Sequence, residues 1–406
     1  MIVRLAFKNV WRNKIRSLIV IMAVTLGLAG GIFGVSIMTG MVGQMVRSGI
    51  NHELAHIQIH HPEFQKNFEP GYSIAHPDSV TEIISHFPAV KAFCTRTRLI
   101  GMVSSPNASA GVQITGIDPA KERQVFTLYM TIPDSCGSFF TGNRKNPLVI
   151  GQKMADKLKV RVRSKVVLRY QDRDGNLAEA AFSVGGIFRS SNSVYDETTV
   201  FVRKSDLDMV TGCDNGIQEI ALVLHDIQRI PETESALKSK LPGLLVQNWT
   251  ELRPEMAIVT TAIAIEIYII LGIILFALAF GIVNTMLMIV FERTRELGML
   301  MAVGTSKARI FRMIMLETIF LTFVGGIIGM ALSAIFIAVF QCYGIDLSAF
   351  SKGLRAFGLD PRIYPSIGIQ LYINLSVMIL LTGILSAIMP ARKALQLKPV
   401  EAIRIE

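Results

Sequence analysis

The residues nearest to a catalytic signature are His52, Glu53 and His56, which satisfy the spacing H-E-x-x-H, with His60 and His61 just beyond. On a helix, that spacing sets two imidazoles on one face, where they share a zinc ion while the glutamate activates water. The residues that follow argue against a helix. From Ala55 the pattern Ala-His-Ile-Gln-Ile-His alternates with period two, and its two β-branched isoleucines favour an extended strand. A strand separates His52 from His56 by about 13 Å, too far for one metal ion. No metal site and no catalytic residue are therefore expected, and a membrane enzyme would rest on this match alone. The cysteines Cys94, Cys136, Cys213 and Cys342 fit no metal spacing, and their order along the chain does not fix a disulfide pairing.

The elements that carry these residues follow from composition. Of 406 residues 51% are apolar and only 18% charged, and the mean hydropathy is +0.45, too apolar for a soluble enzyme of this length. A bilayer is crossed by about 20 apolar residues. Four charge-poor stretches meet that length: Ser17 to Met45, Met256 to Phe291, Thr318 to Gln341 and Gln370 to Met389. The second, interrupted only by Glu266, is long enough to project beyond the membrane, which puts Glu266 at the outer interface rather than at the midplane.

Charge sets the orientation, because Lys and Arg beside short loops resist translocation. Residues 1–16, 292–312 and 391–406 carry net charges of +5, +3 and +2, which together equal the formal +10 of the whole chain. Both termini and the middle loop are expected in the cytoplasm, and the basic balance needs no nucleic-acid partner. Arg4, Lys8, Arg12 and Arg16 recur every four residues around Phe7 and Trp11, the pattern of a helix lying in the inner-leaflet interface. The apolar run after it is about twice as long as a signal-peptide core, so cleavage is not expected.

The organisation that results is an interfacial helix at 1–16, spans at 17–45, 256–291, 316–341 and 370–389, and a domain at 46–255 outside the membrane. A cytoplasmic segment at 292–312, an outer loop at 342–369 and a tail at 390–406 complete it. The fold class is membrane α-helical with four transmembrane helices plus an α+β extracytoplasmic domain of two subdomains. In that domain His56–His60, Arg98–Ser104, Ala110–Ile117, Lys165–Tyr170, Ala178–Phe188, Thr198–Val202 and Glu219–Leu224 read as strands. Asp78–His86, Gln152–Leu158 and Glu232–Lys240 read as helices, and Asp172–Asn176 as a hairpin tip.

Small residues mark helix packing. Gly27/Gly31, Gly30/Gly34 and Gly325/Gly329 each form G-x-x-x-G, which lets helix backbones approach closely, either within one chain or between two. Met38, Met41 and Met45 lie at helical spacing on the outer half of the first span. With Ile267 they form the expected lining for an acyl chain, against the plainer reading of a lipid-facing stripe.

The most informative stretch is Phe291-Glu292-Arg293-Thr294-Arg295-Glu296-Leu297-Gly298-Met299-Leu300-Met301-Ala302-Val303-Gly304-Thr305-Ser306-Lys307. Physically it is a short amphipathic helix, charged at its start, with Leu297, Leu300 and Met301 available for docking and Gly304 to end it. The stretch resembles the coupling helix of the MacB/FtsX-type ABC permease family. The similarity extends to Asn284-Thr285, Glu317, Gly325-Gly326, Pro390-Ala391-Arg392-Lys393-Ala394 and Pro399-Val400-Glu401-Ala402-Ile403-Arg404. Met301 departs from it, standing where the family has Arg or Lys, so docking here leans on apolar contact.

The resemblance implies coupling through Glu292, Arg293, Glu296, Leu297, Gly298, Leu300, Met301, Ala302 and Gly304 to a cytoplasmic ABC ATPase dimer. ATP and Mg would sit on that partner, since no G-x-x-x-x-G-K-[ST] occurs in this chain, and no cofactor is expected on the chain itself. It further implies a bacterial inner-membrane location, a second permease copy or sister permease, and mechanotransmission. Helix number and domain size are most similar to the lipoprotein-releasing (LolC/LolE-like) permeases, with a periplasmic lipoprotein carrier or adaptor as a further partner. Macrolide or peptide efflux, and regulation of a cell-wall hydrolase as in FtsX, are the alternatives. Reporter fusions or protease accessibility in intact cells test the frame: residues 55–250 are expected outside the cytoplasm, and finding them inside removes the transporter reading.

Overall fold

The computed structural model describes residues 14–140, 145–171, 176–211 and 216–396. Most of the expected interfacial helix, the hairpin tip at 172–175, Cys213 and the C-terminal Pro399–Arg404 lie outside the described residues. Among the described residues four helices are long and apolar enough to cross a membrane: Lys14–Gly49, Pro254–Glu292, Lys307–Tyr343 and Ile369–Leu395. Each contains one of the expected spans. A helix satisfies its backbone polar groups internally, which is what hydrocarbon demands of a single spanning segment. The second has 39 residues, about 58 Å of helix against a hydrocarbon core of about 30 Å. Glu266 is exposed and lies about 18 Å from the start of that helix.

Contacts divide the chain into two compact units. The membrane unit runs to Val42 and includes Thr260–Asp346 and the residues from Arg362 onward. Its core draws on all four helices, with Val24 and Leu28 from the first, Leu271 and Ile282 from the second, Ile314 and Leu321 from the third, and Leu375 and Ile379 from the fourth. Glycine lets two of these helices meet backbone to backbone. A methyl added at Gly325 would lie 2.9 Å from the Ile21 carbonyl oxygen, and one at Gly329 would lie 3.0 Å from that of Thr25. The Thr25 hydroxyl donates to the Gly325 carbonyl at 3.1 Å. This G-x-x-x-G therefore packs the third helix on the first within one chain. Gly27 and Gly31 look onto Leu278 and Ile274 of the second helix, whereas Gly30 and Gly34 face open space.

The second unit comprises Gly43–Val259 and Leu347–Pro361. It therefore takes in the middle of the segment assigned from sequence as a separate outer loop. Its strands are β1 (Ile57–His60), β2 (Val90–Ser104), β3 (Ser109–Ile117), β4 (Pro147–Gly151), β5 (Lys165–Gln171), β6 (Leu177–Phe188), β7 (Thr199–Arg203), β8 (Glu219–Leu224) and β9 (Leu245–Asn248). They form one sheet in the order β3-β7-β4-β6-β5-β2-β8-β1-β9, and β2 also pairs with β3.

That extra pairing splits the unit into two subdomains that share one strand. The first half of β2, Val90–Arg96, pairs with β8 in an open sheet β2-β8-β1-β9. From Arg96 onward β2 pairs with β3, and from Gly101 also with β5, closing the ring β2-β3-β7-β4-β6-β5. The open sheet is antiparallel with helices Pro77–Ser85 and Ile230–Lys240 in its β-α-β connections, a split β-α-β plan with the ring inserted between β2 and β8. Each subdomain has its own apolar core: Leu99, Val103, Ile114, Leu168 and Phe182 in the ring, Ile57, Ile59, Ile84, Leu222 and Leu237 beneath the open sheet.

All seven expected strands are present, though β2 begins eight residues before the expected Arg98. β4 and β9 were not expected. β4 is a five-residue run buried at every position, so it carries no alternation, and β9 is a short strand at the edge of the sheet.

The glycine geometry makes a stability prediction. Gly325→Ala and Gly329→Ala are expected to destabilise the protein by about 1–3 kcal/mol through backbone crowding. Gly30→Ala and Gly34→Ala are expected to stay within about 0.5 kcal/mol of the parent. Unfolding midpoints of the purified protein in detergent distinguish the two pairs.

Candidate functional site

After the second membrane helix the chain turns at Arg293 into the nine-residue helix Thr294–Ala302, which gives way to Gly304 at φ +92°. Arg293 fastens the turn. Its Nε lies 3.1 Å from the Glu296 carboxylate, and its Nη1 lies 3.1 Å from both oxygens of Glu317 on the third membrane helix. Arg293 is 13% exposed and Glu317 6%. A charge pair this shielded holds one geometry, because losing either partner leaves the other charge buried and unpaired.

Leu297 and Gly298 are buried, and Met301 packs on the membrane core. Leu297 and Met301 therefore do not present a docking surface as expected. They sit on the face that Arg293 turns inward, four and eight residues after it. The opposite face exposes Met299 (51%), Leu300 (40%) and Val303 (86%), with Glu292, Arg295 and Ala302 beside them. Met299 and Val303 were missed from sequence. Their spacing from Arg295 would have revealed them once Arg293 was known to point toward Glu317.

Of the expected lining residues, Met38, Met41 and Ile267 belong to the membrane unit and Met45 to the other. Ile267 is 5% exposed inside the membrane core, in register with Leu271 and Leu278, so it is a packing residue and not an open lining. Met38 also packs against that core and Met41 is half-buried. Met45 lies in the other unit, on a cleft of about 310 Å3 that it shares with His52, Glu53, Tyr195 and Arg253.

In that cleft the H-E-x-x-H segment takes an unexpected form. Residues Ile50–Leu54 make a wide helical turn, Ala55 breaks it at φ +57°, and only then does β1 begin. His52 is thus helical, not extended, but the break sends His56 elsewhere. The His56 Nδ1 accepts the Leu224 amide at 2.9 Å, while the His52 Nδ1 lies 3.2 Å from the Ser48 hydroxyl. Glu53 is ion-paired with Arg253 and so is committed. Among the described residues no group of three His, Cys, Asp or Glu side chains is placed to hold a metal. Ser48 donates to Ser191 at 3.0 Å, and Ser191 donates to Asp360 at 2.8 Å. In this relay the carboxylate accepts from a serine instead of orienting the histidine, which is the wrong order for nucleophilic catalysis. Cys94, Cys136 and Cys342 are unbridged.

A buried charge cluster sits where β2 passes from one subdomain to the other. Arg96 has no solvent exposure; it is ion-paired with Glu122, and its Nη1 lies 3.1 Å from Glu219 and donates to the Glu53 carbonyl at 3.3 Å. Its guanidinium stacks 3.7 Å above the Phe126 ring, and Arg98 closes on the other Glu219 oxygen at 2.7 Å. Burial pushes the Glu219 carboxyl up, but Arg98 and Arg96 more than offset that and hold it below its ordinary value. His60, beside this cluster, is driven down to about 4 by burial, opposed only in part by Glu219.

Two family models and several known proteins match this chain. The model of the MacB-like periplasmic core domain matches residues 17–240, and that of the FtsX-like permease C-terminal region matches 268–399. A pyoverdine export ATP-binding/permease protein of Pseudomonas putida is 26% identical over 427 aligned residues, covering 99% of this chain and 59% of the relative. The chain thus spans about three fifths of that relative's length. A macrolide export ATP-binding/permease protein, MacB of Shewanella oneidensis, is 32% identical over 160 residues, 39% of this chain and 21% of the relative. The crystal structure of the periplasmic region of MacB from Actinobacillus actinomycetemcomitans aligns with 52% of this chain and 95% of its own, at 12% identity and a TM-score of 0.33.

The buried histidine makes stability depend on pH. His60 is neutral in the folded chain down to about pH 4, whereas the unfolded chain protonates near 6.5. The unfolded state therefore binds the extra proton across that window, and stability falls as pH drops from 6.5 toward 4, by about 3 kcal/mol in all. Asp196, raised to about 6 by burial, acts in the opposite sense. The readout is accordingly a difference: His60→Gln is expected to flatten the fall in unfolding midpoint between pH 6.5 and 4 relative to the parent.

Proposed function

Because the chain belongs to the MacB/FtsX-type family of ABC transporter permeases, we propose that it converts closure of partner ATPases into movement of its membrane helices and large domain. Permeases of this type work with ABC ATPase partners. The observation that carries the reading is the two-faced connector helix Thr294–Ala302. One face is fixed to the third membrane helix through Arg293 and Glu317, and the other offers Met299, Leu300 and Val303 to a partner. A rigidly fastened helix with an exposed apolar face passes on a push instead of absorbing it. ATP and Mg belong to the ATPase dimer in this scheme, and a second permease, identical or a sister, completes the assembly. The positive segments 1–16, 292–312 and 391–406 favour the cytoplasmic side of a bacterial inner membrane. The large domain then lies in the periplasm.

For cargo we propose a lipid-anchored protein released from the outer leaflet, with Met38 and Met41 of the first span contributing to acyl-chain contact and a periplasmic carrier or adaptor receiving it. Thioether side chains adapt to varied apolar ligands. A second reading, export of a small molecule, is favoured by the pyoverdine and macrolide exporters among the relatives. A third, mechanical control of a cell-wall hydrolase as in FtsX, would show itself by co-purification of that enzyme.

Two measurements on the reconstituted permease and its ATPase test this. Leu300→Asp and Val303→Asp are expected to weaken ATPase binding by about tenfold to a hundredfold, since each removes roughly 1.5–3 kcal/mol of apolar contact, while the permease stays monodisperse. Stimulation of ATP hydrolysis by a triacylated lipoprotein but not by a macrolide supports lipoprotein release, and the reverse assigns the cargo to export.

A further inference from the structure

Aromatic side chains of the large unit are distributed unevenly between interior and surface. Every described Phe, Tyr and Trp between Gly43 and Val259 is buried or half-buried. Phe350 and Phe357, in Leu347–Pro361, are instead 68% and 75% exposed. They stand seven residues apart and flank the short helix Ser351–Ala356, Phe350 closing the 3-10 turn Ser348–Phe350 before it and Phe357 following it. Seven residues is close to two helical turns, so the two rings face one side. Lys352, between them, is exposed as well.

Chain connectivity says what this side meets. Ile345–Asp346 pairs with Arg362–Ile363 two residues past Tyr343, where the third membrane helix ends, and the fourth begins at Ile369. The segment is thus a short excursion between two spanning helices, on the side of the bilayer opposite the connector helix. Tyr343 and Tyr364 flank it at 76% and 40% exposure. All four aromatic residues of 341–368, at positions 343, 350, 357 and 364, are therefore exposed. Aromatic rings at the end of spanning helices suit the lipid headgroup layer, where they enter the acyl boundary.

We propose that residues 347–361 lie in the headgroup layer of that leaflet, with Phe350 and Phe357 inserted among the lipids. The occupant of this exposed face is the bilayer, not a protein.

The test uses the full chain in nanodiscs of phosphatidylcholine and phosphatidylglycerol, with Trp11 and Trp249 replaced by Phe. Phe350→Trp, Phe357→Trp and, as a control on the exposed surface of the ring subdomain, Leu177→Trp are examined one at a time with lipids brominated high or low on the acyl chain. Insertion predicts blue-shifted emission at 350 and 357 that shallow bromines quench more than deep ones, with 177 water-like and unquenched. Water-like, unquenched emission at 350 and 357 overturns the proposal. So does blue-shifted emission insensitive to bromine, which would mean that a second copy of the chain covers the rings. Equal quenching at all three positions also overturns it, since lipid would then reach the whole domain without preference.

Discussion

Arg96 carries a positive charge with no access to water, at the residue where β2 leaves one subdomain and enters the other. An ion in that position is tolerated only if its partners are in place, and here they come from both sides. Glu219 belongs to β8 of the open sheet, and Glu122 to the helix that follows β3 of the ring. Neither subdomain can dispense with the other without stranding a charge, and removing one member of such a buried set costs about 3–5 kcal/mol. The two apolar cores are separate, so this polar junction, capped by Phe126 on one face, links their stabilities.

The membrane unit shows the same logic on a smaller scale. Arg293 and Glu317 are shielded from water and joined by two contacts of equal length, and they set the angle at which the connector helix leaves the second span. Close glycine contacts do comparable work between the first and third spans, where backbones approach within a van der Waals distance that no side chain permits. Both devices favour rigidity. The proposed transmission of movement would need stiff joints, and at these two joints the chain uses an ion pair and glycine in place of larger apolar side chains.

Much of the architecture was legible because it follows from local pattern. Spans of about 20 apolar residues have one stable form in hydrocarbon, so all four appeared from composition alone. Strands such as Glu219–Leu224 and helices such as Gln152–Leu158 matched residue for residue, because periodicity and neighbouring Gly or Pro mark them. β4 escaped because burial on both faces erases alternation. Leu297 was misassigned because a nine-residue amphipathic helix has an apolar face that fits either its own bundle or a partner. The wide helical turn at His52 escaped because the alternating pattern beyond Ala55 was extended backward across a break that depends on one residue with positive φ.

By itself the sequence determined the number of spans, the clustering of positive charge in the short segments beside them, the α+β character of the large domain and the connector motif. These depend on hydropathy, charge and short-range periodicity, which a chain carries in any conformation. Tertiary structure alone decided which face of the connector is free, which glycines pack within the chain, that Ile267 belongs to the core, and that Arg96 finds Glu122 and Glu219. Those outcomes depend on contacts between residues tens or hundreds of positions apart. Such contacts come from the whole fold burying its charges in pairs, and no local pattern records which pairs will meet.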